Sequence, residues 1–247
     1  MENKDVAFGD MMSVEDGEEL VGEGALFSVM TWNVLADVYA GKSMSNASRG
    51  SEQQKALEPL YWSRRGPLLH SFLNDKQPDI LCMQEVNLFP SPLCCSEVDR
   101  FLQVDHHHDF FAPLLSQLGY SGSYAPRPYK REGCSTFWKT NKYVYSSTIP
   151  SFLYLMHIYL RFQLAKKVVV DYNQLKSLRY IPGTKTGNLG VITLLVPAEG
   201  SDVSIPVVVA NTHLTWKPTR NDLRTLQVTT LRTHAHPPTH YATRTRT

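Results

Sequence analysis

Apolar residues recur along this chain at two spacings, one typical of β-strands and one typical of helices. Short apolar runs, which predict buried strands, lie at residues 27–32, 80–84, 134–138, 167–171, 189–196 and 206–211. Apolar positions at helical spacing predict helices over residues 57–73 and 110–118, the second ending at Gly119, a favoured residue for a helix C-terminus. Strands that alternate with helices predict a layered α/β fold.

Two segments do not fit this pattern. Residues 144–163 contain a dense apolar run at 149–160, which is shorter than the ~20 apolar residues of a transmembrane helix and is interrupted by a proline and a histidine. We therefore expect an insert rather than a membrane span. Residues 228–247 are rich in Thr, His, Arg and Pro, lack apolar periodicity beyond Leu231 and predict an unstructured tail. A translated intron at each place is one hypothesis, and a natural insertion and a natural tail are the alternative.

Charge is spread unevenly behind a formal net charge of +2. Residues 1–24 are strongly acidic, with Lys4 as their only basic residue, and predict a disordered tail. The chain from Ala25 onward is basic, which suits an anionic substrate. The four cysteines form no Cys-x-x-Cys pair, so neither a zinc site nor a disulfide framework is indicated, and the N-terminus has no secretory signal. These features predict a protein of the cytoplasm, and the nucleus is also compatible.

Three predicted strands are followed by a polar residue that is capable of chemistry. Asn33, Glu85 and His213 each come directly after an apolar run. Ligands collect at the ends of strands in α/β sheets, so we expect one amide, one carboxylate and one imidazole to meet there. Taken singly, the asparagine is an ordinary turn residue, the glutamate a solvated loop residue and the histidine a polar core group. The three together favour a functional site.

Five short sequence motifs lie around these positions and follow one another in a fixed order. They are Thr-Trp-Asn-Val-Leu-Ala at 31–36, Met-Gln-Glu-Val at 83–86, Arg-Glu-Gly-Cys-Ser-Thr-Phe-Trp-Lys-Thr at 131–140, Thr-Gly-Asn-Leu-Gly at 186–190 and Ala-Asn-Thr-His-Leu-Thr-Trp at 210–216. This set resembles the endonuclease/exonuclease/phosphatase superfamily, and within it the deadenylase-like branch of carbon catabolite repressor deadenylases, nocturnin, Angel proteins and the 2′,5′-phosphodiesterase. The resemblance covers residues 26–143 and 164–227, so we expect one partial domain over 25–227 that contains a non-homologous insert at 144–163.

The resemblance implies a four-layer α/β sandwich, in which two mixed β-sheets pack face to face with helices outside. It implies that Glu85 holds Mg²⁺ and that Asn33 supports the metal and its waters. It also implies that His213 contacts the scissile phosphate, with Asn211 beside it as orienting support. Magnesium suits such a site because it binds few protein oxygens and keeps several waters. Catalysis in the family is attack by water on a phosphodiester, while the metal neutralises the developing charge.

Three further residues are candidates for contact with RNA, Trp216 by stacking and Lys139 and Arg131 by charge. A surface aromatic residue and two solvated cations are the alternative interpretation. The run His106-His107-His108, which stands between two aspartates, is expected in a solvated loop insertion, with a metal site as the alternative.

The family motifs Gly-Asp-Phe-Asn and Ser-Asp-His, which complete the site late in the domain, do not occur after His213. We therefore expect a fold that is incomplete on its C-terminal side, and a Mg²⁺-dependent 3′→5′ exoribonuclease of the deadenylase type that is inactive in this form. The alternatives are a non-catalytic RNA-binding or interaction protein derived from that enzyme, and a phosphatase or sphingomyelinase of the same superfamily. No leucine-rich-repeat docking module and no membrane attachment are expected. The oligomeric state and the preferred RNA stay open.

Overall fold

The computed structural model describes residues 27–37, 39–40, 51–87, 106–145, 156–174, 187–199, 201 and 205–235. Its strands are β1 Val29–Asn33, β2 Ile80–Asn87, β3 Tyr120–Pro126, β4 Glu132–Lys139, β5 Asn141–Tyr145, β6 Met156–Leu160, β7 Phe162–Asp171, β8 Leu189–Pro197 and β9 Val207–Thr212. Its α-helices are α1 Glu52–Ala56, α2 Trp62–Lys76, α3 Ala112–Gln117 and α4 Asn221–Ala235. Short 3-10 turns lie at Glu58–Leu60 and Tyr172–Gln174, and a π-helical turn at His107–Phe111 precedes α3.

The strands form two principal sheets and one hairpin. Sheet 1 has the order β1-β2-β4-β3, and sheet 2 has the order β7-β8-β9. Strands β1 and β2 run parallel, joined by a crossover through α2, whereas the other pairs in both sheets are antiparallel. Strands β5 and β6 form a separate antiparallel hairpin. Sheet 1 is therefore mixed, and the described part of sheet 2 is antiparallel.

Strand β2 shows how the layers are built. Leu81 and Met83 belong to the apolar cluster under α2 and α3, whereas Ile80 and Cys82 belong to the cluster between the two sheets. Side chains that alternate between the two faces of a strand produce this division. Because both faces are covered, the strand is apolar at every one of these positions.

Helix α4 adds the fourth layer. Its buried residues Leu223 and Leu231 pack with Val170 of β7 and Ile192 of β8 on the outer face of sheet 2. The order of layers is thus helices, sheet 1, sheet 2 and helix. This confirms the four-layer α/β fold expected from the sequence.

The prediction that residues 228–247 are unstructured is wrong for Val228–Ala235. Leu223, Gln227 and Leu231 are each four residues apart, which places them on one helix face, and all three are buried. The Oε1 atom of Gln227 accepts a hydrogen bond from the backbone N–H of Thr215 at 3.1 Å. The polar composition of this segment hid its buried helix face from the apolar pattern of the sequence. Residues 236–247 and the acidic residues 1–24 lie outside the described part of the chain.

Residues 161–163, at the end of the insert expected over 144–163, pack into the fold. Strand β7 begins at Phe162, which is 1% exposed and meets the ring of Phe27 edge to face at 5.9 Å between centroids. The backbone N–H of Arg161 donates to Thr140 O at 3.0 Å. Residues 161–163 therefore belong to the fold, although they were assigned to the insert.

The histidine run is not a solvated loop. His106 and His107 are 3% and 7% exposed. His106 stacks on Trp62 with 3.3 Å between ring centroids, and His107 shares a hydrogen bond with Ser135 Oγ at 3.2 Å through its Nδ1 atom. Aromatic packing makes these polar rings part of the helix layer, so the loop prediction is wrong.

Two predicted helices have shifted boundaries. The first is interrupted at Tyr61, whose extended backbone (φ −62°, ψ 135°) separates the 3-10 turn from α2. The second ends as expected near Gly119, which has φ 80°.

No helix within the described ranges is long and apolar enough to span a membrane.

Candidate active site

The strand ends meet at one edge of the molecule. Because β1 and β2 are parallel and adjacent, Asn33 and Glu85 lie side by side, and the Nδ2 atom of Asn33 donates to Glu85 Oε1 at 2.9 Å. The other carboxylate oxygen, Oε2, accepts from the backbone N–H of Ala36 at 3.1 Å. His213 follows β9 in the other sheet, and its Nε2 atom lies 3.6 Å from Glu85 Oε1. The expected convergence of Asn33, Glu85 and His213 is confirmed.

Glu85 stands at a distortion of its strand. The pairing of β2 with β4 shifts register between Met83 and Val86, and Glu85 has φ 59°. A non-glycine residue in this left-handed region costs about 1 kcal/mol, and a bulge re-aims a side chain. Leu35, two residues beyond Asn33, has φ 58° as well. Two of the four non-glycine residues with positive φ in the described chain, Leu35 and Glu85, thus lie at the amide–carboxylate pair, and such backbone geometry is common at functional sites.

The imidazole of His213 is uncharged at neutral pH. Burial, followed by the Arg127 guanidinium, lowers the pKa of His213 to about 4, and the Glu85 carboxylate opposes this shift. The Nδ1 atom lies 3.3 Å from Arg127 Nη1. An uncharged ring of this kind offers one donor and one acceptor rather than a positive charge.

A buried ion pair, which the sequence analysis did not identify, lies behind His213. Arg127 Nη1 donates to Glu132 Oε1 at 2.5 Å, and the two residues are 7% and 0% exposed. The same carboxylate oxygen accepts from the Tyr39 hydroxyl at 3.0 Å. Burial raises the pKa of Glu132, while Arg127 lowers it, and burial beside Glu132 raises the pKa of Tyr39 to about 12. Glu132 is the second residue of the motif at 131–140, which was its only sequence signal.

Arg127 also joins the two sheets. Its Nε donates to Gly187 O at 3.1 Å, and its Nη2 donates to Asn188 Oδ1 at 2.5 Å, both directly before β8. Gly187 has φ 68°, and a Cβ there would lie 2.5 Å from Pro128 O, so only glycine fits. The Thr-Gly-Asn-Leu-Gly motif therefore has a structural role, because it presents two hydrogen-bond acceptors to one guanidinium.

Asn211 links the two sheets through side-chain hydrogen bonds. Its buried Nδ2 donates to Ser135 O at 2.9 Å and to Met83 O at 3.2 Å, and its Oδ1 accepts from Gln84 Nε2 at 2.9 Å. These partners all lie on β2 and β4, whereas Asn211 lies on β9. Asn211 therefore supports His213 by holding β9 against sheet 1, two residues before the histidine.

The three proposed RNA contacts lie in different places. Trp216, three residues beyond His213, is 78% exposed. Arg131 is exposed in the turn before Glu132, at the site edge of sheet 1. Lys139 lies at the opposite end of β4, is 7% exposed, and donates to Gln77 Oε1 at 2.7 Å and to Leu118 O at 2.9 Å. A buried lysine at the far end of the strand cannot reach a substrate at Glu85, so that assignment is wrong.

A second arginine holds the loop after Asn33. Arg65 of α2 donates through Nη1 to Val34 O at 2.8 Å and to Leu35 O at 2.7 Å, and it also pairs with Asp37. Asp37 Oδ2 is bound in turn by His106 Nε2 at 2.8 Å. The buried histidine run thus contributes to the support of the site edge. This contact was invisible in the sequence because Asp37 and His106 are far apart along the chain.

The oxygen donors at this edge fit a magnesium ion. Mg²⁺ is bound through one or two carboxylates and keeps several waters, so it does not need a cluster of protein ligands. Glu85 offers one carboxylate whose hydrogen-bond donors are an amide and a backbone N–H. Among the described residues there is no group of three or more His, Cys, Asp or Glu side chains that could hold a metal. The Glu85 carboxylate is a hard oxygen ligand of the kind that magnesium prefers.

Comparisons with known proteins identify relatives of the chain. No family model matches the chain. The Ccr4 3′-5′-exoribonuclease subunit of the CCR4-Not complex from Schizosaccharomyces pombe is 31% identical over 225 residues, which are 83% of this chain and 26% of that protein. Nocturnin from Mus musculus is 34% identical over 125 residues, which are 47% of this chain and 24% of that protein.

Solved structures show the same relationship. A crystal structure of ANGEL2, a 2′,3′-cyclic phosphatase, in complex with adenosine-2′,3′-vanadate matches with a TM-score of 0.58 and 26% identity, over 84% of this chain and 47% of that chain. The human nocturnin catalytic domain matches with a TM-score of 0.50 and 22% identity, over 84% of this chain and 58% of that chain, and supports the fold alone. This chain belongs to the deadenylase-like branch of the endonuclease/exonuclease/phosphatase superfamily. It spans about a quarter of the length of the Ccr4 relatives that it matches.

Proposed function

We propose that this chain carries the metal-holding and phosphate-contacting part of a Mg²⁺-dependent RNA phosphodiesterase of the 3′→5′ exoribonuclease type. The observation that supports this most strongly is the meeting of Asn33, Glu85 and His213, from three strands and two sheets, within hydrogen-bonding or near-contact distance. Its relatives include Ccr4, which is named as a 3′-5′-exoribonuclease.

Glu85 would hold the magnesium ion, and Asn33 would orient the carboxylate and bind a metal-bound water. When bound, Mg²⁺ supplies positive charge that offsets the negative charge developing on the phosphoryl oxygens. The hydrogen bonds from Asn33 and Ala36 fix both carboxylate oxygens before any ligand arrives. Such preorganisation avoids the cost of rearranging the site during the reaction.

His213 would donate a hydrogen bond to a non-bridging oxygen of the scissile phosphate. The ring is uncharged, so it stabilises the phosphate as a dipole and does not compete with the metal through a positive charge. Trp216, three residues beyond His213, and Arg131, next to Glu132, are both exposed and would contact a base and a phosphate of the RNA, by stacking and by charge.

We propose further that the 247-residue protein by itself hydrolyses poly(A) no faster than background. Within the described residues, Glu132 is a second carboxylate near Glu85, but it is fully buried and bound by Arg127 and Tyr39. His213 is bound by Arg127 through one nitrogen, and its other nitrogen would donate to the phosphate. Neither group is therefore free to orient an attacking water.

A second candidate function is the opening of a 2′,3′-cyclic phosphate at an RNA end. It is favoured by the 26% identity to ANGEL2, whose structure carries adenosine-2′,3′-vanadate. The same three residues would serve, because both reactions are attack on a phosphodiester by water. The two candidates differ in whether the RNA chain becomes shorter.

The test uses the 247-residue protein and a chimaera. In the chimaera, residue 235 is followed by the part of the ANGEL2 catalytic domain that this chain does not match. Each is incubated with oligoadenylate ending in a 3′-hydroxyl or in a 2′,3′-cyclic phosphate, with Mg²⁺ or with EDTA. We expect the chimaera to shorten the 3′-hydroxyl substrate only with Mg²⁺, and the 247-residue protein to leave it intact. Opening of the cyclic phosphate without shortening would establish the second candidate.

Two further outcomes would reject both candidates. RNA binding without turnover by the chimaera would indicate a non-catalytic RNA-binding protein. Release of phospholipid head groups in place of nucleotides would indicate a phosphatase or sphingomyelinase.

A further inference from the structure

We propose that Arg127 is a positioning residue that fixes His213 in the tautomer with its ring proton on Nε2. This inference rests on the proposed function only for its consequence, since the tautomer itself is a property of the protein without metal or RNA. The structure supplies two reasons, a deciding one at Nδ1 and a weaker one at Nε2.

The first reason lies at Nδ1. Arginine has five N–H donors, no acceptor, and keeps its charge at any relevant pH. Arg127 Nη1 lies 3.3 Å from His213 Nδ1, so Nδ1 must accept. A neutral imidazole with Nδ1 as the acceptor carries its proton on Nε2.

The second reason lies at Nε2. This atom is 3.6 Å from Glu85 Oε1, an acceptor too distant for a hydrogen bond, so the contact agrees with the tautomer without fixing it. With the proton on Nε2, the ring presents an N–H to the carboxylate. With the proton on Nδ1, a lone pair would face the carboxylate oxygen and an N–H would face the guanidinium, so both contacts would be repulsive.

The guanidinium cannot turn away from His213. Glu132 binds Nη1, Gly187 O binds Nε, and Asn188 Oδ1 binds Nη2, so all three nitrogens are held. Arg127, Glu132 and Asn188 are 7%, 0% and 2% exposed. An arginine fixed by a fork of buried acceptors selects a histidine tautomer more firmly than a mobile surface arginine could.

The consequence concerns the direction of the donor. The Nε2–H group lies on the Glu85 side of the ring, where the scissile phosphate would lie under the proposed function. Arg127 thus keeps His213 as a hydrogen-bond donor toward the phosphate while making no contact with the phosphate itself. Loss of Arg127 would leave the imidazole in place with its donor direction undetermined.

Long-range ¹H–¹⁵N correlation spectra of the ¹⁵N-labelled 247-residue protein, recorded without divalent metal, report the tautomer of each histidine. The His213 signals are those that disappear in His213→Gln. We expect a single Nε2–H tautomer for His213 in the wild-type protein. An Nδ1–H tautomer, or an average of the two forms, would overturn the proposal before any variant is made.

Variants then test whether Arg127 is the cause. Arg127→Met alone leaves Glu132 charged and buried without its partner, so the main variant is Arg127→Met with Glu132→Gln, which removes both charges together with the N–H donors that face Nδ1. We expect averaged tautomers at His213 in this double variant. A pure Nε2–H state there would overturn the role of Arg127.

Lys130→Gln is the matched control, because it removes one positive charge from the same turn and leaves the Arg127 contacts in place. We expect the wild-type tautomer in this control, and averaging there would also overturn the proposal, since charge alone would then be the cause. Hydrolysis plays no part in the readout. A pure Nε2–H state in a protein whose chimaera cleaves no RNA would therefore reject the proposed function and leave this inference intact.

Discussion

Asn33 and Glu85 are 52 residues apart and joined by a 2.9 Å hydrogen bond from the Asn33 amide to the Glu85 carboxylate. The bond exists because β1 and β2 are adjacent and parallel, with Asn33 paired to Gln84. It fixes one oxygen of the carboxylate that we propose as the metal ligand, and the backbone N–H of Ala36 fixes the other.

Glu85→Gln should weaken Mg²⁺ binding by about tenfold or more, because an amide cannot supply the negative charge that holds a hard cation. The binding is followed by Mg²⁺ titration of the Asn33 side-chain amide signals. In the chimaera, the same substitution should abolish Mg²⁺-dependent cleavage. Glu58→Gln, at an exposed glutamate paired with Arg64, is the control and should change neither quantity. Near-normal turnover by Glu85→Gln at saturating Mg²⁺ would refute the assignment.

Arg65→Lys should destabilise the fold by about 1–3 kcal/mol, because an ammonium group cannot reach Val34 O, Leu35 O and Asp37 together and leaves buried acceptors unpaired. Urea unfolding measures this change. Arg64→Lys is the matched control, since Arg64 is its neighbour on α2 and is exposed. Equal stabilities of the two variants would mean that the Arg65 contacts contribute nothing.

Leu231→Ala should cost about 2–5 kcal/mol, as expected for a buried leucine in a packed cluster. Leu231 is 5% exposed on α4, whereas Val228, one turn earlier on the same helix, is 47% exposed. Val228→Ala should therefore change the free energy of unfolding by about 0.5 kcal/mol or less. A negligible effect of Leu231→Ala would show that the last turns of α4 do not pack on sheet 2.

Acid should weaken the fold through His213. Burial and then Arg127 lower the pKa of His213 to about 4, so the unfolded chain, with an ordinary value near 6.5, takes up this proton first. The contribution is fully present above pH 6.5 and is lost as the pH falls to 4, by up to about 3 kcal/mol. In EDTA, the difference in unfolding free energy between wild type and His213→Gln should shrink across this window. Parallel pH profiles of the two proteins would contradict the shift.

Trp216→Ala should weaken binding of oligoadenylate by about 1–3 kcal/mol, the range for one base stacked on an aromatic ring. Fluorescence anisotropy measures the affinity. The unfolding free energy should stay unchanged, because the side chain is 78% exposed. Tyr129→Ala is the comparison, since Tyr129 is 95% exposed but was not assigned to RNA. Equal losses of affinity in both variants would show that exposure alone accounts for the effect.

Apolar runs in the sequence were enough to predict the strands that lead to Asn33, Glu85 and His213, because a run that ends abruptly in a polar residue marks where a buried strand leaves the core. The layered α/β fold followed from the same pattern. The motifs around Glu132 and Asn188 could be recognised in the sequence, but their structural role could not be predicted. An arginine or glutamate is expected on the surface unless a partner is known.

Which of these residues meet depends on the tertiary fold. Arg127 lies between Glu132 and His213, Lys139 is bound at the far end of β4, and the buried histidine run contacts Asp37 through His106. The physical reason is that burial and ion pairing depend on neighbours far away in sequence, whereas periodicity reports only which face of its own element a residue occupies.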